Sequence, residues 1–147
     1  MKKPVEDKGI IFYEGSDNGL RIKTFIEDDT IWLTQPQIAE LFQSSRSNVA
    51  EHIKHIYEEE ELRMDATCRN FRQVQIEGGR EVSRDLPHYN LDMVISLGYR
   101  INSKIATTFR RWATERLKEF HVTSIDYDKN NKLTKEVKRI QGGKNEA

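Results

Sequence analysis

Four consecutive residues, Ser45, Arg46, Ser47 and Asn48, have side chains of the kinds that read the edges of nucleic-acid bases. Arginine bonds guanine through two parallel hydrogen bonds, asparagine does the same with adenine, and serine reaches base edges or phosphates. Such a set works only when it is held rigidly and projected clear of the protein. The surrounding stretch, "QPQIAELFQSSRSNVAEHIK" from Gln35 to Lys54, fits a helix-turn-helix. Ala39 is small where two helices would touch, Ile38 and Phe42 are apolar on the inner side of the first helix, and Val49 and Ile53 are apolar in the second. The expectation is a steep crossing that turns the start of the second helix outward, with Lys54 adding a DNA contact further along it. Gln43 departs from the template, because glycine is usual where this turn needs a left-handed backbone. The competing reading is a plain α–α corner, which Glu40, Glu51 and the run Glu58 to Glu61 favour by repelling phosphate.

The elements that must position this segment follow from periodicity. Residues 10–13 and 20–26 are β-branched and aromatic, with Leu20, Ile22 and Ile26 on one parity and Arg21 and Lys23 on the other. With "IWL" at 31–33 they predict a small antiparallel meander, its strands separated by the turn clusters EGSDNG and EDDT. At Thr34 the period changes to that of a helix, with Thr34 as cap and Pro36 in the first turn. Ser44 or Ser45 is expected to cap the second helix, whose apolar positions are Val49, Ile53, Ile56 or Tyr57, and Leu62. Asn70–Ile76 and Arg80–Leu86 predict a hairpin turned by Gly78 and Gly79, and Pro87 is expected to break its second strand. Asn90 then caps a helix that Gly98 closes with a left-handed residue.

A longer helix is expected from Asn102 or Ser103, with Ile105, Phe109, Trp112, Ala113, Leu117 and Phe120 on one stripe. Phe109 and Trp112 are thus read as core, and Lys104, Arg110, Arg111 and Arg116 as its mainly solvated back. Residues 121–147 lose this periodicity and are read as a polar tail in which KLTKEVKRI has the pattern of a short helix. The whole is an α+β chain: a β-meander, a helix-turn-helix, a wing-like β-hairpin and two C-terminal helices, in one domain over residues 1–120.

Other chemistry finds little support. Net charge is zero, with 24 Lys and Arg against 24 Asp and Glu, so the overall basic footprint of a nucleic-acid binder is missing. The distribution is uneven: two cations face six acids over residues 34–62, and six face three over 90–120. The hairpin brings Arg69, Arg72, Arg80 and Arg84, of which Arg72 and Arg80 are expected on phosphates, together with Lys104. Cys68 is the only cysteine and excludes an intrachain disulfide. His52 and His55 have a spacing compatible with a metal, yet no HExxH pattern or third ligand accompanies them. No phosphate-binding loop, nucleophile elbow or apolar carboxylate pair is present, so neither catalysis, a metal, a cofactor nor a small-molecule ligand is expected. MKKPVEDKGI lacks the apolar segment of a secretory signal and no run of about 20 apolar residues occurs, which predicts a cytoplasmic protein without a membrane span.

"IWLTQPQIAELFQSSRSNVAEHIKHIYEEEEL" followed by "YNLDMVISLGYRINSKIATTFRRWAT" resembles the RhuM family of bacterial virulence-associated proteins over roughly residues 10–120. The resemblance rests on Trp32-Leu33-Thr34-Gln35, Ala39-Glu40-Leu41-Phe42, Tyr89-Asn90-Leu91-Asp92, Ser96-Leu97-Gly98-Tyr99-Arg100 and Phe109-Arg110-Arg111-Trp112-Ala113-Thr114 in order. Gln43 and Ile105 depart from it, standing where glycine and a basic residue are common. The resemblance implies a DNA-binding protein carried on mobile or pathogenicity-associated DNA, akin to the Bro-type N-terminal domains of phage and viral regulators. Family members continue into a longer C-terminal region, which implies that this chain is the N-terminal module alone.

The residues and the resemblance together predict a transcriptional regulator that binds double-stranded DNA through Ser45, Arg46, Ser47, Asn48 and Lys54. A homodimer with two heads about one DNA turn apart is compatible with the weak charge of one head. The rival is a protein-interaction module that uses the acidic second helix and the basic last helix without touching DNA.

Overall fold

The computed structural model describes residues 9–15 and 19–120. The chain runs β1 (Gly9–Glu14), β2 (Arg21–Glu27), β3 (Thr30–Thr34), α1 (Gln35–Phe42), α2 (Arg46–Glu58), α3 (Met64–Thr67), β4 (Cys68–Glu77), β5 (Arg80–Tyr89), α4 (Leu91–Ile101) and α5 (residues 103–120). The architecture is α+β, as expected. The predicted tail helix, the first eight residues and the centre of the EGSDNG turn lie outside the described residues.

Meander and hairpin form one antiparallel sheet in the order β1-β2-β3-β5-β4. They join only where Leu33 faces Tyr89 and Thr34 faces His88. Two tight turns close the hairpins by the same backbone device. Gly78 and Gly79 take φ of 59° and 77°, and Asp28 and Asp29 take 55° and 61° between the partners Glu27 and Thr30. Aspartate is among the few residues with a side chain that tolerate this left-handed region.

Ile22, Ile26, Ile31 and Leu33 point to the main core, where they meet Ile38, Leu41 and Phe42 of α1, Val49, Ile53 and Ile56 of α2, Met93, Val94 and Leu97 of α4, and Ala106, Phe109 and Ala113 of α5. The reverse face of the sheet carries a second, smaller cluster, Phe25, Trp32 and Phe71 with Ile10 against them. Thr24, Phe25 and Ile26 are therefore all buried in sequence, which departs from the simple alternation that the sequence suggests for β2.

Helix starts follow the caps read from sequence. Thr34 and Gln37 form a reciprocal capping box on α1, Ser45 caps α2 and Asn90 caps α4. The amide of Ile105 donates to the Asn102 side chain at the head of α5.

Three expectations are corrected. Pro87 does not end its strand: β5 runs on to Tyr89, because Pro87 lies one residue beyond the last partner on β3 and faces only Asn70 of β4. Gly98 is no left-handed cap, since α4 continues to Ile101 and Gly98 is buried inside it. Its missing side chain allows a three-helix approach: a Cβ there would stand 2.5 Å from Cβ of Ala106 and 2.6 Å from Cζ of Phe42. Leu62 packs on the core from beyond the end of α2 rather than from within it.

Candidate nucleic-acid interface

The head is built from its turn outward. Gln43 takes φ 54° and ψ 49°, so the left-handed position that favours glycine is filled here by glutamine. The Ser44 amide donates to the Ala39 carbonyl at 2.9 Å and the Gln43 amide to that of Glu40 at 3.2 Å, which closes α1 with a Schellman motif. Ala39 is buried in the crossing and Val49 is wholly buried behind the start of α2. The two helices are tied again at the surface, where the Gln35 side-chain Nε2 donates to the Arg46 carbonyl at 3.1 Å.

This frame leaves Ser45, Arg46, Ser47 and Asn48 all exposed. Their side chains are not equivalent. Ser45 Oγ accepts from the Asn48 amide at 3.0 Å as the helix cap and lies 3.3 Å from Ser47 Oγ. The Asn48 side chain donates to Ser44 Oγ at 2.8 Å. Arg46 makes no ion pair among the described residues and is the most available of the four. The first turn of α2 contains no acidic residue, so its free amides and the positive end of its dipole face solvent uncompensated.

Lys54 is exposed eight residues beyond Arg46, on the same side of the helix with exposed Ala50 between them. The run Glu58 to Glu61 lies elsewhere. Glu58 is twelve residues from Arg46, about 18 Å along the axis at ~1.5 Å per residue. Arg100 of α4 donates to Glu59 and Glu61, each at 2.8 Å, and pins that acidic end to the body. The Arg100 hydrogen bond holds the Glu61 carboxyl below its ordinary pKa. Glu51 remains exposed, with its carboxylate 3.7 Å from His55. No group of three metal-ligating side chains, around His52 and His55 or elsewhere, occurs among the described residues.

The hairpin arginines divide into two kinds. Arg69 bonds Asp28 at 2.6 Å and stacks 4.7 Å over the Trp32 ring, while Arg84 grips Glu77 through two bonds of 2.7 and 3.0 Å. Arg72 and Arg80 make no ion pair among the described residues, and Arg80 is exposed at the turn. From Arg72 to Asp85, three arginines are balanced by Glu77, Glu81 and Asp85. Lys104 is exposed at the start of α5.

Sequence reasoning missed the support beneath the hairpin root. His88 is fully buried, packed edge-on to Phe25 and Phe71 with centroids 5.4 and 5.3 Å apart. Its Nδ1 lies 2.8 Å from the Leu86 carbonyl and its Nε2 lies 3.3 Å from the Gln73 amide nitrogen. The neutral ring with hydrogen on Nδ1 satisfies both contacts, and burial lowers the histidine pKa.

Among the described residues no helix is long and apolar enough to cross a membrane. No curated protein and no solved structure matches the chain. A family model does match, over residues 66–141, taking in the end of α3, the β4–β5 hairpin, α4 and α5 and starting after the α1–α2 head. That stretch is just over half of the sequence, and the chain accordingly belongs to the virulence protein RhuM family.

Proposed function

We propose that this protein binds double-stranded DNA through the first turn of α2 and acts as a transcriptional regulator or as a virulence protein associated with mobile elements. One observation carries the reading: the Ser45–Asn48 turn is exposed at every residue, free of acids and braced from behind by Ala39 and Val49. Arg46 reads a guanine edge, Ser47 and the open amides of α2 take a phosphate, and Lys54 follows the groove wall. Arg72 and Arg80 reach flanking phosphates from the hairpin. With so few cations a single head binds weakly, and a homodimer with heads about 34 Å apart meets two half-sites. The reading assigns no catalytic step.

Selection of bound sequences from a random duplex pool by the purified protein tests this. The expected outcome is an enriched site whose affinity drops steeply between about 50 and 200 mM salt. Arg46→Ala should then weaken the selected site by about 1–3 kcal/mol and relax its preference at one base pair. No duplex binding at low salt, together with no enriched sequence, refutes the reading and leaves the acidic end of α2 as a surface for a protein partner.

A further inference from the structure

We infer that the solvent face of α5 is a second DNA contact, a line of cations that follows the sugar–phosphate backbone. The inference rests on the DNA reading above and extends it to a second helix. On α5, Ala106, Phe109 and Ala113 are buried and Ile105, Trp112 and Leu117 are half-buried against the core. Opposite them stand Lys104, Arg111 and Lys118, all exposed. Each is seven residues from the next, so at 3.6 residues per turn they fall within about 20° of one line and about 10.5 Å apart. Projected on the duplex axis, at ~3.4 Å of rise per nucleotide, that spacing corresponds to about three nucleotides.

Arg110 projects about 100° around the helix from the line, and with Arg111, Thr114 and Glu115 it lines an open depression of about 450 Å³. None of Lys104, Arg110, Arg111 and Lys118 makes an ion pair among the described residues, whereas Arg116, off the line, is held by Glu119 at 2.6 Å. Thr107 and Thr108 donate their hydroxyls back to the carbonyls of Ser103 and Lys104, so the cations carry the contact.

The chemistry of the face favours a polyphosphate over an acidic protein. A protein interface is built around apolar or aromatic anchors that exclude water. The outward face from Lys104 to Lys118 has none: between its cations stand threonines and Glu115. Regularly spaced cations on a polar strip suit a backbone of repeating charge.

The salt dependence of duplex binding reads this directly. In the Lys104→Gln, Arg111→Gln, Lys118→Gln triple variant, the slope of log Kobs against log salt should shallow by about 0.9 per lost phosphate contact, about 2.7 in all, with the selected sequence unchanged. Lys104→Arg, Arg111→Lys, Lys118→Arg should restore the slope, which a mere folding defect of the first variant would not predict. Arg46→Ala should do the reverse, relaxing sequence preference and changing the slope by at most about one. A folded triple variant with the slope and affinity of the wild type overturns the α5 contact while the head stands. If the wild type binds no duplex at all, both fall.

Discussion

The α1–α2 head and the β4–β5 hairpin both offer arginines to solvent, but the chain holds them in opposite ways. The head is locked by its interior: Ile38, Leu41, Val49 and Ile56 have no solvent exposure, and its turn is closed by main-chain and cap hydrogen bonds. The hairpin is two ten-residue strands joined to the sheet at two residue pairs, with Ile76 72% exposed near its tip. Two of its arginines are already paired, as Arg84 grips Glu77 within the hairpin and Arg69 grips Asp28 of the β2–β3 turn. An arginine count is therefore a poor guide to a phosphate surface unless each partner is known. Rigid placement of few unpaired groups marks the head, and reach with little net charge marks the hairpin.

Truncation should expose that contrast most strongly. Phe42→Ala removes a ring wedged between α1, α4 and the main core and should cost about 3–5 kcal/mol. Ile76→Ala should stay within about 0.5 kcal/mol, as expected of an exposed side chain. Denaturant unfolding of the two variants measures both, and comparable losses would mean that the hairpin tip is packed against something in solution.

The same contrast governs what could be read in the amino-acid sequence. Head caps, turn and buried positions were legible because each is set by neighbours within five residues: Thr34 with Gln37, Ser45 with Asn48, Ala39 with Ser44. The hairpin turn was legible for the same reason, through Gly78 and Gly79. Its attachment was not, because Leu33 and Tyr89 lie far apart in sequence and only tertiary packing selects their pairing. Gly98 was misread because a small residue late in a helix signals equally a left-handed end or a close helix contact, and Ala106 and Phe42 decide between them. The burial of Phe25 was hidden because its partners Trp32 and Phe71 come from β3 and β4.

Acid should act on the hairpin root before the head. His88, opposite Thr34 at the β3–β5 junction, is held neutral by burial with its pKa below the ordinary 6.5, although the Leu86 carbonyl pulls the other way. Between the native pKa and 6.5 the unfolded chain binds more protons at this site than the native one. The contribution is thus complete above 6.5 and is lost as pH falls below it, by at most about 1.4 kcal/mol per pH unit. Urea midpoints at pH 7.5 and 5.5 should differ more for the wild type than for His88→Gln, and amide exchange should quicken first around Arg69–Phe71 and Leu86–Tyr89. Equal pH sensitivity in the two proteins would assign the acid response to other groups.

The smallest effect probes the head at the one residue that works against its own turn. Gln43 occupies a left-handed conformation that a side chain disfavours by about 1 kcal/mol or more, while glycine loses about 0.5–1 kcal/mol of chain entropy on being ordered. Gln43 is exposed and its backbone amide supplies the Schellman bond, so replacement by glycine keeps every hydrogen bond of the turn. Gln43→Gly should therefore raise stability by no more than about 1 kcal/mol, with duplex affinity unchanged if the Ser45–Asn48 turn is already rigid. A stability gain with a loss of binding would instead show that the glutamine side chain reaches the DNA, and would move the edge of the head one turn back toward α1.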